Sequence, residues 1–189
     1  AAKIIEKYDV AWIDINMWCP AKKVITSWHG SGLIINSDTA FEIVRRLSEA
    51  THLPISVKTR LGWNWSESLI EFCKWLEKAG ANLITVHGRT TKQAYTWLAD
   101  FTQIYELKKA LKIPVGFHAH NNLGMGIANS LAAVKAGAYS LDCSLSGFGG
   151  GSGNASIELL VAVLQIEKYE TGVDLYKILD AAEKAEEMF

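Results

Sequence analysis

The chain alternates short extended segments with longer segments of helical periodicity from one end to the other. Extended candidates are "AWIDINM" (11–17), "ISVKTR" (55–60), "LITVHGR" (83–89), "PVGFHAH" (114–120) and "SLDCSL" (140–145). Between them, "FEIVRRLSEA", "FCKWLEKAG", "FTQIYELKKALK", "GIANSLAAVKAG", "ASIELLVAVLQIEKYE" and "DLYKILDAAEKAEEM" read as amphipathic helices. Thr39 with Glu42, and Ser68 with Glu71, have capping-box spacing at two of the helix starts. Leu69, Phe72, Cys73 and Leu76 recur at helical spacing, and Gly80 is placed to end that helix. Strand, helix, strand at this interval predicts right-handed crossovers and a parallel sheet.

The strands carry a second pattern. A parallel sheet covered by helices on both faces has nearly continuous apolar strands. Here one parity is polar throughout: Asp14 and Asn16; Ser56, Lys58 and Arg60; Thr85, His87 and Arg89; His118 and His120; Asp142 and Ser144. Alternate side chains share a face, so these groups are expected along one side, with Ile13, Ile15, Val57, Val86, Phe117 and Leu141 under the helices. That suits the wall of a (βα) barrel better than a doubly wound sheet. A complete barrel has eight units in about 250 residues, and the pattern yields five strands in 189 residues. The expected fold is therefore α/β, with five parallel strands alternating with helices in a partial TIM-barrel arrangement, as a single domain over 1–189. An open flavodoxin-like sheet is the alternative. Five strands leave two edges and a partly apolar inner face, and a homodimer through the tryptophan-bearing end is the expected cover.

Composition narrows the setting. A hydrophobic content of 49% with 21% charged residues is ordinary for a soluble globular protein. No apolar run approaches the roughly 20 residues of a membrane span, and "AAKIIEKYD" lacks the features of a signal peptide, so a cytoplasmic location and no membrane partner are expected. A net charge of −1 and the acidic "AAEKAEEMF" give nucleic acid no general attraction, and none is expected as a partner. Cys19, Cys73 and Cys143 are odd in number and widely spaced, which argues against a disulfide or zinc framework.

Residues 1 to about 114 resemble the dihydrouridine synthases, flavin enzymes that reduce uridine in tRNA. The resemblance rests on "IDINMWCPAKKV", "LPISVKTRLGW" and "GANLITVHGRTTKQAY" followed by "ADF", in that order. It implies the fourth to sixth units of a TIM barrel, with Cys19 as the acid that protonates the base and Asn16 and Arg60 as substrate contacts. It also implies Lys58, His87 and Arg89 as neighbours of FMN or substrate. The chain departs from that family at Trp18, where related synthases read "NMGCP". Trp28 and Trp97 likewise stand where the family tends to have glycine. An indole buries on the order of 150 Å² or more, so Trp18 is expected to fill the space a substrate base would enter.

From about residue 115 the chain resembles a different family, the 4-hydroxy-2-oxovalerate aldolases. The matching text is "VGFHAHNNLGMGIANSLAAVKAGAYSLDCSLSGFGGGSGNASIELLVAV" and "DLYKILDAAE". The resemblance implies the last two units of a TIM barrel, His118 and His120 as ligands of a divalent ion, usually manganese, and the Gly-rich segment 147–153 as part of the mouth. It further implies a third ligand, an aspartate, and a catalytic arginine on a first strand that none of the five segments matches. Period two by itself puts His118 and His120 on one face at a strand end, a chelating arrangement for a first-row divalent ion. Asp142 or Asp14 is the candidate third ligand. The Gly-rich loop reads as a turn with Asn154 or Ser156 capping the next helix, and an anion nest is the alternative.

Together the two resemblances predict a chimeric scaffold, recombined or engineered near residue 114, without catalytic activity. Cys19, Asn16, Arg60, Lys58, His87 and Arg89 are then inherited relics. FMN is not expected, because the synthases' phosphate-gripping loops fall where aldolase-like sequence stands. No cofactor is expected, and a weakly held divalent ion such as manganese at His118 and His120 is the alternative to none. The alternatives are a residual metal- or phosphate-binding module and a remnant of an FMN-dependent reductase.

Overall fold

Segments of period two become strands and segments of helical period become helices along the chain. The computed structural model describes residues 2–65, 68–94, 96 and 99–188. These form two units, Ala1–Val115 and Gly116–Phe189, whose boundary falls close to where the two resemblances meet. The elements of the first are α1 (Ala2–Ile5), β1 (Ile13–Met17), α2 (Lys22–Ile25), α3 (Ser37–Ala50), β2 (Ile55–Arg60), α4 (Leu69–Lys78), β3 (Leu83–His87) and α5 (Thr102–Ala110). β4 (Val115–His118), which begins at the boundary, α6 (Gly126–Lys135), β5 (Ser140–Asp142), α7 (Ile157–Ile166) and α8 (Leu175–Glu187) follow. Five parallel strands alternating with helices make an α/β fold, as the pattern predicts.

In the first unit β2 pairs with β1 on one side and β3 on the other. A flavodoxin-like sheet would place β1 between β2 and β3, so that alternative is set aside for this unit. The register aligns the polar parity in rows: Asp14 beside Ser56, Asn16 beside Lys58 and Thr85, Arg60 beside His87. Flanked on both sides, β2 buries all six of its residues, whereas β1 leaves Asp14 and Asn16 exposed. The other parity, Met17, Val57, Ile84 and Val86, joins Ala40 and Val44 of α3 and Leu69, Phe72, Cys73 and Leu76 of α4 in the core. Complete burial pushes the Cys73 thiol far above its ordinary range and keeps it protonated.

Neither capping box forms. α3 begins at Ser37, so Thr39 already lies inside its first turn, with Asn36 at the cap position and no side-chain cap bond. Ser68 does occupy the cap position of α4, but its ψ of 1° is far from the extended backbone that points a cap hydroxyl at the following N–H groups. Gly80 ends α4 as expected: at φ +108 its N–H donates to the Glu77 carbonyl, and Ala81 N–H reaches Leu76 O. A side chain there would meet Ser48 Oγ at 2.5 Å.

In the second unit β4 pairs with β5 in the register Phe117 to Leu141 and His118 to Asp142. Phe117, Ala119 and Ala155 form a small core with Leu141 and Cys143 packed against it. The predicted strands 114–120 and 140–145 are shorter in fact. Beyond His118 and Asp142 the chain leaves the ladder, and His120 and Ser144 form isolated bridges with Asn154 and Ser156. Asp174 caps α8, its Oδ1 accepting from Tyr176 N and Lys177 N. Among the described residues no helix is long and apolar enough to cross a membrane.

Leu76 is fully buried on the face of α4 that meets the sheet. Leu76→Ala is expected to cost about 2–5 kcal/mol, read as a lower urea midpoint at unchanged slope. A loss under about 1 kcal/mol would contradict this packing.

Candidate functional site

In the first unit the strand-end groups converge on the turn after β1. Arg60 closes β2 with no exposure, and a buried guanidinium requires acceptors. Its Nε donates to the Trp18 carbonyl at 2.7 Å, and its Nη1 to the carbonyls of Thr90 at 3.0 Å and Ala94 at 2.7 Å. From the other side, Asn16 Oδ1 accepts from the backbone N–H groups of Trp18 and Cys19, both at 3.1 Å. The Cys19 carbonyl accepts from Ser31 N and Oγ, also at 3.1 Å. Asn16, Cys19 and Arg60 are thus brought together, Asn16 and Cys19 within the turn and Arg60 tying it to the segment after β3.

The Trp18 indole lies over what remains of the group. It stacks on the His87 ring at 5.9 Å between centroids, 18° from parallel. Lys58 Nζ is 4.5 Å and Arg60 Cζ 5.7 Å from the indole centroid. Lys58 and His87 are buried beneath it. Arg89, beyond the end of β3, donates from Nε to the Thr96 carbonyl at 3.2 Å. Trp28 takes a left-handed backbone at φ +59, a conformation that favours glycine, which accounts for the glycine the resemblance places there. Trp97 lies outside the described residues. Sequence reasoning missed the carbonyls of Thr90 and Ala94 and the role of Ser31, and backbone acceptors leave no mark in residue type. Trp18→Gly is expected to speed amine-specific labelling of Lys58 at least several-fold, measured by mass spectrometry against an exposed lysine such as Lys177. An unchanged rate would mean that the indole does not shield the amine.

In the second unit the two histidines meet at the end of β4. His118, with a 6% exposed side chain, has Nδ1 3.1 Å from Asp142 Oδ2. His120 has Nδ1 3.1 Å from the Gly153 carbonyl. A carbonyl only accepts, so His120 Nδ1 carries the proton and the lone pair lies on Nε2; the carboxylate selects the same tautomer at His118. The ring centroids are 4.9 Å apart. Asp142, a candidate third ligand, thus directs Oδ2 to His118 Nδ1, while Asp14, the other candidate, accepts from Ser56 Oγ at 2.6 Å in the first unit. Among the described residues no group of three or more His, Cys, Asp or Glu is arranged to hold a metal. Burial, reinforced by the Asp142 and Glu158 carboxylates, pushes the Cys143 thiol up to about 11, so it stays protonated at neutral pH.

The capping expected of Asn154 and Ser156 is not what their side chains do. Asn154 Nδ2 donates to the Phe148 carbonyl at 3.1 Å, closing the Gly-rich loop on itself. Ser156 occupies the cap position of α7, but its Oγ donates to Glu158 Oε1 at 2.5 Å and makes no cap bond to the helix backbone. Glu158 also accepts from Ser146 N at 3.2 Å and so anchors the start of the loop.

Comparison with known proteins finds both resemblances again. A family model described as dihydrouridine synthase (Dus) matches residues 1–117. The chain is 47% identical over 119 residues to a 4-hydroxy-2-oxovalerate aldolase of Geobacillus genomosp. 3, covering 62% of this chain and 34% of that protein. It is 48% identical over 121 residues to the protein of that name from Spirochaeta aurantia, covering 64% and 35%. With the one from Desulfitobacterium hafniense it shares 35% over 151 residues, covering 80% and 45%. The chain therefore spans less than half the length of these relatives. Among solved structures, an HMG-CoA lyase from Brucella melitensis superposes with a TM-score of 0.70 at 14% identity, covering 99% of this chain and 70% of that one. The carboxyl transferase domain of Rhizobium etli pyruvate carboxylase gives 0.54 at 21% identity, covering 73% and 25%. These likenesses show a TIM-barrel-like fold.

The relatives overturn the expectation of a non-catalytic chimeric scaffold. Alignments of 119 to 151 residues are longer than the whole of 115–189 and must run back into the stretch that the synthase model matches. The two likenesses overlap, and a junction near residue 114 has no support. Nearly half-identity to proteins named as aldolases points to an enzyme. The synthase match extends over well more than half of the residues, and by it the chain belongs to the dihydrouridine synthase family.

Proposed function

We propose that the chain is part of a metal-dependent aldolase that cleaves or forms the bond between C3 and C4 of a 4-hydroxy-2-oxo acid, with His118 and His120 as protein ligands of the ion. The observation that carries this reading is the pair of imidazoles whose Nδ1 atoms are held by Asp142 and Gly153. Metal-binding histidines are oriented in this way, through a hydrogen bond from the other ring nitrogen to a carboxylate or carbonyl. Both Nε2 atoms then present lone pairs from rings 4.9 Å apart. Relatives bearing the aldolase name, at 46–48% identity, supply the reaction class.

The residues fit a divalent ion as a two-imidazole donor set, with other coordination positions left to water or substrate oxygens. When bound, such an ion supplies Lewis-acid polarisation of a carbonyl oxygen. His118 and His120 hold their donor atoms at a strand end, and Asp142 fixes the ring of His118. In the group beneath Trp18, Arg60 and Asn16 hold backbone groups of the turn after β1.

Two imidazoles and few other protein donors should bind Ni²⁺ and Co²⁺ more tightly than Mn²⁺. Titration calorimetry is expected to show that order, with binding abolished in the His118→Ala, His120→Ala double variant. Asp142→Ala should weaken Co²⁺ by roughly 10-fold or more. Release of the 2-oxo acid product from 4-hydroxy-2-oxovalerate, followed by a coupled dehydrogenase, should require added metal and both histidines. Metal affinity equal in wild type and double variant would defeat the proposal.

A further inference from the structure

We infer that Gly153 is a positioning residue for His120, and that the Gly-rich loop 147–154 exists to aim one backbone carbonyl at that imidazole. The inference rests on the metal-site reading above and extends it to residues that touch neither metal nor substrate. The Gly153 carbonyl accepts from His120 Nδ1 at 3.1 Å and from Asn121 N at 2.9 Å, so one oxygen fixes both the ring and the backbone just beyond it. Across the same contact His120 and Asn154 form an isolated antiparallel bridge. His120 lies beyond the end of β4, and its bridge to Asn154 in the loop carries the pairing on from the strand.

Only glycine fits at 153. Its φ is +82, and a Cβ there would lie 2.5 Å from the Gly147 carbonyl oxygen. That oxygen is not idle, because it accepts from Asn154 N at 2.9 Å. Any side chain at 153 must therefore push the 147 strand of the loop away or rotate the 153 peptide, and either movement takes the acceptor from His120. Gly151 makes the natural control. It has a similarly left-handed φ of +69, but a Cβ on it would meet no atom within 4 Å. Gly151→Ala carries the backbone penalty without the displacement.

The test compares Gly153→Ala with Gly151→Ala in the full chain. In metal-free protein at alkaline pH, long-range ¹H–¹⁵N correlation spectra of histidine-labelled chains report the tautomer of each ring. Wild type and Gly151→Ala are expected to show His120 protonated at Nδ1. Gly153→Ala is expected to lose that preference while His118, held by Asp142, keeps its own. Calorimetry should show Co²⁺ affinity falling roughly 10- to 100-fold in Gly153→Ala and by less than about 2-fold in Gly151→Ala. An unchanged His120 tautomer in Gly153→Ala, or equal losses in both variants, would overturn the inference. If wild type binds no Co²⁺ the metal reading fails, and the tautomer spectra alone judge the role of Gly153. If Gly153→Ala does not fold, the wild-type spectrum decides, because an Nε2-protonated His120 contradicts the hydrogen bond to Gly153.

Discussion

A guanidinium with no exposure at the end of a central strand is the constraint on which the first unit is built. A buried charge needs hydrogen-bond acceptors, and Arg60 directs Nε to the carbonyl of Trp18 and Nη1 to those of Thr90 and Ala94. Those oxygens belong to the turn after β1 and the segment after β3, so one side chain on β2 sets the course of both. Trp18 can lie over Lys58 and His87 because its own carbonyl is fixed to Arg60 and its own N–H to Asn16. The indole is thus part of the same solution: it covers an amine and an imidazole that the period-two pattern of β2 and β3 places beneath it.

Much of this was legible in the sequence, because periodicity fixes which side chains share a face. The rows Asn16, Lys58, Thr85 and Arg60, His87 follow from alternation once the strands are paired in order. The five strands and the end of α4 at Gly80 follow from the same rules. Capping boxes failed for a different reason. Thr39 with Glu42 and Ser68 with Glu71 have the right spacing, but the cap bond depends on backbone angles at one residue, which tertiary packing decides. The ends of the strands in the second unit were overrun likewise, since residue type at His120 and Ser144 continues the pattern while the backbone leaves the ladder.

The error of greater consequence was to divide the chain at residue 114. The break in resemblance falls close to a real boundary between two units, yet the aldolase alignments run through it. Alternate polar positions along parallel strands suit a (βα) barrel wall in general, so one stretch of strands can satisfy two family patterns at once. A change in the better resemblance along a chain is therefore weak evidence of a splice, and weaker still as evidence against catalysis.

The two polar groups differ in what their donors and acceptors are occupied with, and that difference bears on where chemistry belongs. Around Arg60 the guanidinium donates to the chain's own backbone, and the Trp18 ring lies against it. Such an arrangement holds a turn in place. Around His118 and His120 each ring donates from its far nitrogen, Nδ1, to a carboxylate and to a backbone carbonyl respectively, and what each of these two bonds holds is the imidazole itself. Anchoring the far nitrogen fixes the tautomer and aims the near one. The cost of that preparation is visible in the loop itself, where Gly147, Gly151 and Gly153 all take left-handed backbone angles and Ser146 takes one without the freedom of glycine. Ala94, whose carbonyl Arg60 holds, is left-handed as well at φ +49, so backbone strain accompanies both groups and the anchoring of the imidazole rings is what sets the second apart.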